Sequence, residues 1–88
     1  MQDKINKILA HYGSEHQLDK LAEELLELAL SILRRKARGT TNMLEEYADC
    51  RVMMSQLDKI LTDREHLIVR CEMERKVDRE LGRIQCGS

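Results

Sequence analysis

Four carboxylates stand out by their spacing: Glu24 with Glu27, and Glu46 with Asp49, each pair three residues apart. On a helix turning about 100° per residue, such a pair shares one face, and two helices lying side by side would bring all four acids into one small volume. Like charges gathered in a partly dry space repel, and a divalent cation is the usual compensation. An all-oxygen ligand set favours magnesium, manganese or calcium over zinc. Magnesium keeps several waters and commonly binds phosphates as well, so a nucleotide polyphosphate is the expected partner. Either pair alone reads as a solvated helix face, because Glu is abundant there. Two pairs, each beside an apolar stripe and joined by a short turn, point to a metal.

The helices that must position these acids are legible in the caps and stripes. Ser14 with Gln17, Asn42 with Glu45, and Thr62 with Glu65 each match the capping-box pattern, and Gly13 and Gly39 precede the first two. The segments expected are roughly residues 3 to 12, 15 to 36, 43 to 61 and 63 to 84, with no internal repeat or linker. In the second segment Leu18, Leu21, Leu25, Leu28 and Ile32 line one side, with Gln17, Lys20, Glu24 and Glu27 on a strip beside them, within roughly 80° of one another. In the third, Met43, Tyr47, Cys50, Met54, Leu57 and Leu61 form the stripe, and Glu46 and Asp49 share a sector with Met53 and Ile60 at its edge. Val69, Met73, Val77, Leu81 and Ile84 repeat the spacing in the fourth. The loop from Ala37 to Thr41 is short enough to make the second and third helices antiparallel neighbours. The fold expected is a single all-α domain over 1–88, an antiparallel bundle of about four helices.

Composition narrows the alternatives. Charged residues make up 35% and aromatics 2% of the 88 residues, with no Trp, Phe or Pro, which removes the ring anchors of compact sheet proteins. A chain this short buries little of its surface, so a homodimer or homotetramer is expected to complete the core. The net charge of −1 supplies no field for a long polyanion, so bulk nucleic-acid binding is not expected. The basic run Arg34, Arg35, Lys36 and Arg38 reads first as a cap for a helix C-terminus; its functional reading is a contact with phosphates. Cys50, Cys71 and Cys86 form no C-x-x-C pairing and read as reduced thiols. No run of about 18 apolar residues exists and no signal-peptide core follows Met1, so no membrane association and a cytoplasmic location are expected.

The stretch Leu21-Ala22-Glu23-Glu24-Leu25-Leu26-Glu27, followed by Glu46-Tyr47-Ala48-Asp49, resembles the E-E-x-x-E…E-x-x-D signature of MazG-like all-alpha nucleoside triphosphate pyrophosphatases. His16-Gln17-Leu18-Asp19-Lys20-Leu21 resembles the lead-in to that signature, and Lys76-Val77-Asp78-Arg79-Glu80-Leu81-Gly82-Arg83 is similar to the family's closing basic helix, although many relatives carry Asn where this chain has Asp78. Short single-domain chains of this kind are similar to phage-encoded forms. The resemblance implies cleavage of nucleoside triphosphates between the α and β phosphates. Magnesium, with manganese as a substitute, would be held by Glu24, Glu27, Glu46 and Asp49. Glu23 would serve as the base for the attacking water. Gln17 and Lys20 would face the nucleotide, and Lys20, Lys76, Arg79 and Arg83 would neutralise the polyphosphate. His11 and His16 are the polar rings available to a base, whereas Tyr47 belongs to a core stripe. Rival readings are a dimeric dUTPase or phosphoribosyl-ATP pyrophosphatase of the same superfamily, or a noncatalytic helical adaptor whose stripes bind a partner helix.

Overall fold

A computed structural model describes residues 1–87, and every regular element among them is helical. The order is α1 (Gln2–Tyr12), α2 (Ser14–Leu33), α3 (Arg35–Arg38), α4 (Thr41–Ile60) and α5 (Asp63–Gln85). Arg34, at φ −94° and ψ 0°, divides the long second segment into α2 and the single turn α3.

Only one of the three expected capping boxes forms. The Glu65 amide donates to Thr62 Oγ1 at 3.2 Å while the Thr62 amide donates to Glu65 Oε1 at 2.9 Å, which starts α5. The His66 ring adds a 2.6 Å bond to the Asp58 carbonyl and fixes that corner. Ser14 and Asn42 are instead helical residues. Gly13, at φ 85°, takes the cap position of α2, and Thr40 takes that of α4, in neither case with a side-chain bond. The chain reverses one or two residues earlier than the Ser14 and Asn42 patterns indicate, because the glycines supply the positive φ that each turn requires.

Helices α2 and α4 form the main contact of the chain, and α1 lies against both, burying Ile5. Their direction follows from three pairings: Gln17 meets Gln56, Glu24 meets Cys50, and Glu27 meets Glu46. Each advance along α2 is matched by a retreat along α4, so the two are antiparallel, as expected from the short connection.

The face they share differs from the expected one. Gln17, Leu21, Glu24 and Ser31 of α2 are buried against Cys50, Met53 and Gln56 of α4, with Leu28 half-buried. The leucine stripe is turned partly outward: Leu25 is 44% exposed and Ile32 38%. Tyr47, expected in the core, is half-exposed, with the Arg51 guanidinium 5.8 Å from its ring centroid. The acidic strip therefore lies at the seam rather than at its edge. Small Ser31 and Cys50 sit on this seam, and the helices approach closely enough for the Cys50 thiol to donate to the Glu24 carbonyl at 3.1 Å.

Helix α5 leaves the corner at Thr62 without packing along α2 or α4, and none of its described residues is buried. The third stripe, Val69 to Ile84, stays exposed, so the fourth helix of the expected bundle is not docked within one chain. The radius of gyration, 16.4 Å, exceeds the roughly 12 Å of a compact chain of this length. No described helix is long and apolar enough to cross a membrane.

Candidate metal centre

Antiparallel pairing brings the two acidic motifs face to face. Carboxylate oxygens of Glu24, Glu46 and Asp49 all lie within 4.8 Å of one another. Glu27 lies near Glu46, and beyond the effect of burial its negative charge raises that carboxyl further. Three of the four expected ligands thus converge, and Glu27 lies outside that tight set, near Glu46.

The charges are only partly answered by the chain itself. Glu24 is buried, and one of its oxygens lies 3.3 Å from Lys20 Nζ. Its other oxygen, like Oε2 of Glu46, is shielded from solvent with no hydrogen-bond partner. A buried carboxylate oxygen without a donor is costly, and such groups are otherwise almost always paired. Desolvation pushes the Glu46 carboxyl above its usual range, and Glu27, Asp49 and Glu24 push it further in the same direction. The Lys20 ammonium is held charged chiefly by its hydrogen bond and attraction to Glu24. Burial raises the Cys50 thiol, with the same acids adding to the effect, so Cys50 is a neutral hydrogen-bond donor and not a nucleophile. The donor set is all oxygen, and two of its oxygens are buried without a partner. Both features fit a hard divalent cation.

The remaining expected site residues are placed as follows. Glu23 lies beside the cluster with its side chain 68% exposed, 3.8 Å from Lys20. Gln17 is buried and donates to Gln56 Oε1 at 2.6 Å, while the His16 ring meets Gln17 Oε1 at 2.7 Å. Since that amide oxygen can only accept, His16 Nδ1 carries the proton in this pairing. Lys76, Arg79 and Arg83 are not brought to the cluster within one chain. They lie on α5, where Arg83 pairs with Glu80 at 3.1 Å and Lys76 and Arg79 help hold Glu72 ionised.

Sequence reasoning missed Gln56, the most buried side chain of the seam. Its signal was available: Asp49, Met53 and Gln56 continue one helical face, so a polar residue there must find a partner across the seam. Beside it opens a cleft of 550 Å³ bounded by Ile8, Tyr12, His16, Val52 and Met53, in which the Tyr12 and His16 rings stack with centroids 4.7 Å apart. A smaller recess of 140 Å³ lies toward the other end of the groove, lined by Glu27, Glu46, Arg34, Arg38 and Asn42 among others. Comparison with family models, with curated proteins and with solved structures gives no match to this chain.

Proposed function

We propose that the chain is a magnesium-dependent nucleoside triphosphate pyrophosphohydrolase, the activity implied by the MazG-like motifs. The observation that carries this reading is the pair of orphaned, solvent-shielded oxygens on Glu24 and Glu46 inside a convergent carboxylate set. Magnesium there would bind phosphate oxygens and offset the charge that develops on them. Glu24, Glu27, Glu46 and Asp49 would hold the cation, with Lys20 paired to one oxygen of Glu24. Glu23, exposed and adjacent, takes a proton from the attacking water. That water adds to the α-phosphorus as the α–β bridge breaks; the bridging oxygen leaves with the bond electrons on diphosphate, and the nucleoside monophosphate remains.

The functional unit in this reading is a homodimer or homotetramer. The accessible surface of 7281 Å² exceeds the roughly 5,400 Å² expected of a compact monomer of this mass, and the excess per chain is in the range that obligate interfaces bury. The exposed α5 stripe is the face to be covered, and α5 of a second copy is the element that would bring Lys76, Arg79 and Arg83 to the phosphates.

Diphosphate release from mixed ribo- and deoxyribonucleoside triphosphates, with and without magnesium, tests the activity. Strong preference for dUTP or phosphoribosyl-ATP would move the assignment within the superfamily. A chain whose melting temperature does not rise with magnesium, and which releases no diphosphate, is instead an adaptor built on the α5 stripe.

A further inference from the structure

The basic run after α2 divides into two parts. Arg35 Nη1 donates to the Ile32 carbonyl at 2.7 Å and so performs the helix-capping role expected of the whole run. Arg34 and Arg38 line the 140 Å³ recess together with Asn42, Glu27 and Glu46, yet neither forms a salt bridge with these acids or with any other described residue. Two arginines and two glutamates thus line one recess without forming an ion pair. A ligand that brings both anionic oxygens and a cation into the recess satisfies both kinds of residue. A diphosphate chelating a metal ion does so, with the guanidinium forks matching phosphate oxygens and the Asn42 amide adding an uncharged donor.

The opposite end of the groove is built differently. Its 550 Å³ cleft has apolar walls from Ile8, Val52 and Met53, and the stacked rings of Tyr12 and His16 are nearly parallel, at 14°. Lys20, the cation that lines it, is already engaged by Glu23 and Glu24. Flat rings and apolar walls suit a nucleobase and offer little to a phosphate chain. Between the two ends lies the carboxylate cluster, in the order in which α2 presents Gln17, Glu24 and Arg34 and α4 presents Gln56, Glu46 and Asn42.

Building on the metal reading above, we infer that the substrate lies along the α2–α4 groove in one direction, its base at the Tyr12–His16 end and its terminal diphosphate on Arg34 and Arg38. These arginines then receive the negative charge that builds on the leaving diphosphate as the α–β bridge breaks, while the water proton goes to the α-phosphate side, at Glu23.

The test titrates the intact protein with inorganic diphosphate, in the presence and absence of magnesium, by calorimetry, beside titrations with magnesium alone and with AMP. For Arg34→Gln and Arg38→Gln, magnesium–diphosphate affinity is expected to fall about tenfold each, while magnesium alone and AMP bind as in the unsubstituted protein. Arg35→Gln, which touches only the helix end, keeps diphosphate affinity, and Arg34→Lys recovers part of it if the glutamine variants prove unstable. Unchanged diphosphate affinity in the double glutamine variant, with magnesium binding and hydrolysis intact, overturns this inference and leaves the metal reading standing. Loss of AMP affinity instead of diphosphate affinity also overturns it, by reversing the direction. Absence of any magnesium effect on the unsubstituted protein removes both together.

Discussion

The α2–α4 seam and helix α5 are built from the same periodic pattern and end in opposite environments. On α5, Val69, Met73, Val77, Leu81 and Ile84 repeat at helical spacing and all stay exposed. On the seam the buried positions include Gln17, Glu24, Ser31 and Gln56, which the pattern would leave to solvent. An apolar stripe is thus left uncovered while a polar face is enclosed. Enclosing acids and amides costs free energy unless each is paired. The amides are paired with one another, but the acids are not fully paired. What the seam gives up in stability accompanies a convergent set of carboxylates, while the stripe of α5 stays exposed.

The largest effects are expected at the acids. Glu24→Gln and Asp49→Asn are expected to lower diphosphate release by at least about a hundredfold. Both should also remove the magnesium-dependent rise in melting temperature, while the metal-free fold stays as stable or becomes slightly more so, because repulsion is relieved. Turnover at the unsubstituted rate in both variants would remove the seam's claim to chemistry.

A smaller effect separates the two stripes. Leu21→Ala, inside the seam, should cost about 2–5 kcal/mol in denaturant unfolding through the cavity it leaves. Val77→Glu on α5 should instead act on assembly, shifting the sedimentation coefficient from an oligomer to a monomer. If Val77→Glu leaves the assembly state unchanged, α5 is not the interface.

The smallest expected effect is on pH dependence. The Glu46 carboxyl is raised by burial first, then by Glu27, Asp49 and Glu24. A raised carboxyl favours the protonated form in the fold. Its contribution to stability is therefore complete below the ordinary carboxyl range, about 4.3, and is lost as pH rises through the elevated value. The metal-free protein should lose melting temperature over that interval, and, on the proposed metal reading, saturating magnesium should offset the loss. Glu46→Gln should flatten the metal-free profile; a slope unchanged in that variant would assign the effect to other groups.

Much of the site was legible in the sequence because it is local. An i, i+3 pair of acids shares a helix face whatever the tertiary structure, and the short Ala37–Thr41 connection leaves two helices little choice but to pack antiparallel. The convergence of Glu24, Glu46 and Asp49 follows from those two facts. The helix starts were less legible: Ser14 and Asn42 carry cap residues, but Gly13 and the turn through Gly39 set where the chain reverses.

Residue order alone makes the chain helical, places its acids and stripes, and sets two acidic motifs to face each other. Tertiary structure decided which face of α2 turns inward, that Gln56 closes the seam on Gln17, that Arg34 and Arg38 separate from the capping Arg35, and that α5 stands apart. Helical periodicity fixes angles within one helix, whereas the rotation of one helix against another depends on the volumes of side chains that meet only after folding.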